Sequence, residues 1–76
     1  MKLSKAQLKA LEVLENAERT EDATALLKEY RKINSRTEQR LLDLGLIKRV
    51  KIMPVFIAAI CTPAGRKALE EARNGN

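Results

Sequence analysis

Residues 40–52 of this sequence read Arg-Leu-Leu-Asp-Leu-Gly-Leu-Ile-Lys-Arg-Val-Lys-Ile, and the spacing of the apolar residues changes at Gly45. Before Gly45 the leucines follow helical spacing, whereas after it Ile47, Val50 and Ile52 are interleaved, imperfectly, with basic residues. Glycine readily adopts the left-handed backbone conformation that closes many helices. The stretch therefore predicts a helix that ends at Leu44 and a strand that begins just beyond Gly45.

Upstream of this stretch the sequence predicts two more helices. The first runs from about Lys5 to Ala17 and begins with a capping box formed by Ser4 and Gln7. The second is short, from about Ala23 to Tyr30. Either of two residues can cap it, Thr20 or Asp22.

The helix that ends in the opening stretch is predicted to run from Arg36 to Leu44. Both Asn34 and Ser35 are good N-cap types, and Ser35 with Glu38 has the spacing of a second capping box. Helical periodicity predicts three inward positions, Thr37, Leu41 and Leu44.

Downstream, the sequence predicts a β-hairpin and a last helix. Val55 to Cys61 is rich in strand-forming residues, and Met53-Pro54 marks the tip of the hairpin, because proline cannot donate to a strand ladder. Thr62-Pro63 is a helix-start signal, followed by a helix from Ala64 to Arg73. The predicted fold is mainly α with a small β-hairpin, in one domain of residues 1–76, with residues 1–3 and 74–76 frayed.

Composition excludes several classes of function. The chain has 76 residues, no histidine and one cysteine, so histidine-dependent catalysis, most zinc sites and an internal disulfide are excluded. Cys61 follows three apolar residues, which predicts a buried thiol. We expect no enzymatic activity, cofactor or metal. No signal-peptide core follows Met1, and the apolar run from Ile52 to Cys61 is about half a membrane span. We therefore expect a cytoplasmic protein with no membrane partner.

The excess of positive over negative charge is confined to one third of the chain. The net charge is +5, and residues 26–51 hold eight basic and three acidic side chains, whereas the remainder is balanced. A solvated face explains a net charge but not this confinement. The pattern is typical of a surface that meets a polyanion.

Two motifs resemble the winged helix-turn-helix family, in particular the compact bacterial and phage regulators of the MarR and PadR kind. Leu41 to Arg49 is similar to the family's L-x-x-x-G-L-I-x-R pattern, where the recognition helix leads into the wing. Cys61 to Leu69 is similar to L-T-x-x-G-x-x-x-L, where the wing leads into the last helix. The resemblance covers about residues 3–73.

The resemblance implies a DNA-binding transcription regulator. Its third helix, about residues 35–44, would enter the major groove of double-stranded DNA. The expected base-reading side chains are Ser35, Arg36, Gln39 and Arg40. The expected phosphate contacts are Lys28, Arg31, Lys32, Lys48, Arg49 and Lys51.

An apolar segment at the hairpin supports an alternative function. Where alternation predicts polar residues on the outer face, the segment has none; it comprises Ile52, Met53, Val55, Phe56 and Ile57. Either a partner covers it, or the hairpin packs on both faces. The alternative is therefore a winged-helix protein-interaction module, an adaptor or a phage-encoded inhibitor, that binds through residues 52–57. A homodimer through the wing or the C-terminal helix is a related expectation.

Overall fold

The computed structural model describes residues 2–52 and 54–75 and contains the predicted order of elements. These are α1 (Lys5–Arg19), α2 (Ala23–Arg31), α3 (Ser35–Asp43), β1 (Ile47–Ile52), β2 (Phe56–Cys61) and α4 (Pro63–Asn74). The prediction of three helices, an antiparallel hairpin and a C-terminal helix is confirmed, and this topology is compatible with a winged helix. Among the described residues, no helix is long and apolar enough to cross a membrane.

The central helix is α1, and its predicted capping box is confirmed. The Ser4 hydroxyl accepts a hydrogen bond from the Gln7 amide at 3.2 Å, and the Ser4 amide donates to Gln7 Oε1 at 2.9 Å. Leu11 and Leu14 are completely buried. The Cys61 thiol donates to the Leu11 carbonyl at 3.3 Å, which confirms that Cys61 is buried. Burial, and then the charges of Glu15 and Glu18, raise the pKa of the Cys61 thiol to about 11.

The structure settles which residue caps α2. The carboxylate of Asp22 accepts from the Thr24 amide at 2.9 Å and is the N-cap. Thr20 instead closes α1, because its hydroxyl donates to the Ala17 carbonyl at 2.6 Å. Leu26 and Leu27 bury the apolar side of α2.

The predicted capping box at Ser35 is wrong. Asn34 is the N-cap of α3, since its side chain accepts from the Arg36 amide at 2.8 Å, and the helix begins one residue earlier than expected. Glu38 does not return to the helix start because its carboxylate binds Tyr30 and Arg49. Of the three predicted inward positions only Leu41 is buried; Thr37 and Leu44 are half-buried, and Glu38 is the second buried residue of this helix.

The two sequence motifs meet where α3 joins β1. Gly45 has φ +72°, as predicted for the residue that follows the helix. The Thr62 hydroxyl donates to the Gly45 carbonyl at 2.7 Å, and the Thr62 amide donates to the Leu46 carbonyl at 3.0 Å. The same hydroxyl accepts from the Gly65 amide at 3.0 Å and caps α4, as predicted. Thr62 therefore holds the start of β1 and the end of β2 together at the base of the hairpin.

The base of the hairpin packs on both faces. Its register pairs Ile47 with Cys61 and Ile52 with Phe56. Ala58 and Ala59 are consecutive strand residues on opposite faces, yet both are completely buried. Burial within the chain therefore explains the apolar residues at these two positions, but it does not extend to residues 55–57, which are exposed.

Candidate nucleic-acid interface

One side of α3 is open to solvent and carries the four side chains predicted to read bases. Ser35, Arg36, Gln39 and Arg40 are all exposed. They share this side because Leu41, which is completely buried, anchors the opposite side of the helix in the core. The Gln39 amide donates to Asp43 Oδ1 at 2.9 Å, which fixes its orientation along the helix. The structure therefore brings these four residues to one accessible surface.

The six side chains predicted to contact phosphate are also exposed, but three of them have partners within the protein. Lys32 lies 3.3 Å from Glu29, and the Arg31 guanidinium lies 5.5 Å from the centre of the Phe56 ring. Arg49 Nε donates to Glu38 at 3.2 Å. The remaining three, Lys28, Lys48 and Lys51, form no ion pair with any described residue.

The ion pairs are distributed unevenly between the basic segment, residues 26–51, and the rest of the chain. Outside residues 26–51, ion pairs hold four basic side chains against glutamates of α1: Lys9, Arg19, Arg66 and Arg73. Within α3 and β1, Arg36, Arg40, Lys48 and Lys51 have no acidic partner among residues 2–52 and 54–75. Because side chains alternate along a strand, Lys51 shares the face of β1 whose Arg49 contacts α3, and Lys48 lies on the opposite face. The exposed side of α3 thus carries two arginines without an acidic partner, and Lys51 adds a third such charge on the face of β1 that adjoins this helix.

A buried carboxylate links this surface to its supports. Glu38 is only 9% exposed, and its Oε2 accepts hydrogen bonds from the Tyr30 hydroxyl and from Arg49 Nε. These three residues, the Glu38 network, join α2, α3 and β1. The prediction assigned Glu38 to a cap and gave Tyr30 only as the end of the second helix, so it missed the network. The signal was available, because Glu38 lies one turn from Leu41 on the inner side of the helix.

The network shifts two pKa values. Burial, together with hydrogen bonding to Glu38, raises the pKa of Tyr30 above its usual value of 10.0. The hydrogen bond and the charge of Glu38 raise the pKa of Arg49. Both shifts indicate that Glu38 stabilises the neutral form of Tyr30 and the charged form of Arg49.

We predict that Tyr30 titrates at higher pH in the folded protein than in urea. The chain has one tyrosine and no tryptophan, so the near-ultraviolet absorbance of tyrosinate follows Tyr30 alone. Because the folded state holds the phenolic proton more tightly, its stabilising effect is complete below pH 10 and is lost as the pH rises through and beyond that value. A Glu38→Gln variant should move the titration back towards the unfolded value. Equal titrations in the folded and unfolded wild-type protein would contradict the network.

The end of the hairpin exposes three apolar side chains, the hairpin tip. Val55 is 79% exposed, Phe56 37% and Ile57 44%. Of the other residues in the predicted apolar segment, Ile52 packs partly against the core, and Met53 lies outside the described residues. Intramolecular packing therefore accounts for the hairpin base and leaves the tip uncovered.

Neither metal chemistry nor a known relative defines this surface. Within residues 2–52 and 54–75, no three side chains of the His, Cys, Asp and Glu types come together in a metal-binding group. Comparisons with models of protein families, with curated proteins and with solved structures find no match to this chain. The features that indicate what this surface binds are therefore the exposed polar side chains and unpaired charges of α3.

Proposed function

We propose that this protein is a cytoplasmic, sequence-specific regulator that binds double-stranded DNA with α3 in the major groove. The observation that carries the proposal is the exposed, polar side of α3, on which Arg36 and Arg40 have no acidic partner among the described residues. A helix fits the major groove, and arginine and glutamine are the side chains that fork onto guanine and adenine. The resemblance of the two sequence motifs to winged-helix regulators, together with the compatible topology, supports the same function.

The residues divide by the kind of contact that each can make. Arg36, Gln39 and Arg40 extend from the exposed side of α3 and are proposed to read base edges. Ser35 is the first residue of the helix, where backbone amides favour a phosphate or a base acceptor. Lys48 and Lys51 follow on β1, and Lys28, Arg31 and Lys32 lie on or just beyond the end of α2. These five, together with Arg49 on β1, are proposed to neutralise phosphates, which supplies affinity without sequence information.

A salt titration tests the class of function. Fluorescence anisotropy of a labelled random duplex should show binding that weakens as salt rises from roughly 50 mM to 200 mM. About six phosphate contacts correspond to a slope of about −5.4 in a plot of log K against log salt concentration. Absent or salt-independent binding would overturn the proposal.

We predict that Arg40→Ala weakens binding to a selected site by about 1–3 kcal/mol, because a bidentate contact to guanine is lost. Binding to random duplex should change much less. Lys51→Gln is the matched control, since it removes one charge without removing a base contact. It should weaken binding to all sequences alike and reduce the salt slope by about 0.9. Unchanged affinity of Arg40→Ala for the selected site would show that α3 is placed wrongly.

The hairpin tip favours a second candidate function, a protein-interaction module. Val55, Phe56 and Ile57 form an exposed apolar surface with Arg31 stacked on the Phe56 ring, and DNA phosphates do not account for it. Under this alternative, DNA binding is absent and the basic side meets an acidic protein. If the tip instead joins two copies of the chain, sedimentation at micromolar concentration will detect a dimer, and Val55→Ser will dissociate it. A monomer at that concentration would rule out the homodimer.

A further inference from the structure

We infer that Glu38 is a positioning residue that aims Arg49 at a DNA phosphate. The inference rests on the proposed DNA binding and deepens it. Arg49 Nε donates to Glu38 Oε2 at 3.2 Å, which uses one of the five guanidinium N–H donors. The Arg49 side chain is nevertheless 54% exposed. Glu38 is the one acidic partner of Arg49 among the described residues, and the guanidinium has further N–H donors, so a fork that matches phosphate geometry remains available.

The carboxylate is itself held in place from the opposite side. Tyr30 of α2 donates its hydroxyl to the same oxygen that accepts from Arg49, and Glu38 is buried between α2, α3 and β1. An arginine held through Nε loses less conformational freedom on binding an anion than a freely rotating one. The network therefore fixes both the wing strand β1 and its guanidinium relative to the helix that reads the groove.

An unspecific effect of charge and the positioning of Arg49 predict opposite changes in DNA affinity for the substitution Glu38→Gln. Glu38→Gln removes a negative charge beside a cationic surface, so an unspecific charge effect would strengthen DNA binding. If Glu38 instead orients Arg49, the same variant binds random duplex more weakly. The expected loss is up to about fivefold, which is what one exposed ion pair between Arg49 and a phosphate contributes. Its salt slope should also fall by about 0.9, because one phosphate contact is lost.

The test measures anisotropy with a random duplex for the wild type, Glu38→Gln, Arg49→Gln and the double variant. Asp43→Asn is the matched control, since it removes an exposed acid from the same helix, and it should bind more tightly. We expect Glu38→Gln to weaken binding and lower the slope as Arg49→Gln does, and to have no further weakening effect once Arg49 is replaced. Tighter binding of Glu38→Gln with an unchanged slope would overturn the inference while leaving the proposed function in place.

A second variant covers the case in which Glu38→Gln does not fold. Tyr30→Phe leaves the net charge unchanged and removes one of the two donors to Glu38. It should weaken binding in the same direction but by less, and unchanged binding and slope would then overturn the inference. A wild-type protein that fails to bind duplex at all overturns the proposed function and the inference together.

Discussion

Gly65→Ala should lower the free energy of unfolding by about 3 kcal/mol, because a methyl group at this position has no room. A Cβ atom on Gly65 would lie 1.9 Å from the Leu46 carbonyl oxygen and 2.9 Å from its carbon. Both neighbours are backbone atoms at the junction of α3 and β1, which Thr62 holds by two hydrogen bonds. A shift large enough to admit the methyl group must separate α4 from that junction.

The direction of this effect is diagnostic, because alanine is the better helix former by about 1 kcal/mol. If Gly65 lay on an exposed side of α4, the substitution would stabilise the protein. A domain of this size is expected to have a total stability of roughly 5 kcal/mol, so the predicted loss is more than half of it. Urea denaturation followed by circular dichroism measures the change, and the midpoint of thermal unfolding should fall by about 15 °C.

Gly45→Asn is the matched control for Gly65→Ala. Gly45 has φ +72°, but a Cβ there meets nothing within 4 Å, so the substitution brings only backbone strain. Asparagine tolerates that conformation, and the expected loss is about 1 kcal/mol or less. Stability of Gly65→Ala equal to or above that of Gly45→Asn would contradict the contact between α4 and Leu46.

Leu41→Ala should lower the free energy of unfolding by about 3 kcal/mol. Leu41 is the one leucine of α3 that is completely buried, and it joins the core that contains Leu11 and Leu14 of α1. Removing its side chain costs the transfer free energy and leaves a cavity beneath the helix. Since α3 has only nine residues, packing rather than intrinsic propensity holds it in place.

Leu42→Ala provides the comparison for Leu41→Ala. Leu42 is adjacent on the same helix and has the same side chain, but it is only half-buried. Its replacement should cost about 1 kcal/mol, in proportion to the smaller apolar area that it buries. Urea denaturation of both variants measures the difference, and equal losses would show that α3 is seated in another rotation. The exposed side proposed to read DNA would then be assigned wrongly.

Elements with local signals could be predicted from the sequence. The Ser4–Gln7 capping box, the left-handed Gly45 and the Thr62-Pro63 helix start all depend on residues within four positions of one another, and all three are confirmed. The start of α3 could not be decided in this way, because Asn34 and Ser35 are both good caps. Tyr30 and Arg49, eight and eleven residues away from Glu38, decided between them by engaging its carboxylate.

Only part of the candidate site could be predicted from the sequence. The resemblance implied that Ser35, Arg36, Gln39 and Arg40 face DNA, and the structure leaves all four exposed on α3. Alternation could not show that Ala58 and Ala59 are buried on both faces of the hairpin, because that burial comes from helices distant in sequence. The pairing of Arg49 with Glu38 was hidden for the same reason.

Selection of bound duplexes from a random pool tests the central claim most directly. The wild-type protein should enrich a short motif, and the same selection with Gln39→Ala should lose the preference at one or two positions while keeping the rest. Because Gln39 is exposed and uncharged, this variant keeps both the fold and the electrostatic attraction to phosphate. A pool that stays random with the wild-type protein, or an identical motif with Gln39→Ala, would contradict sequence reading by α3.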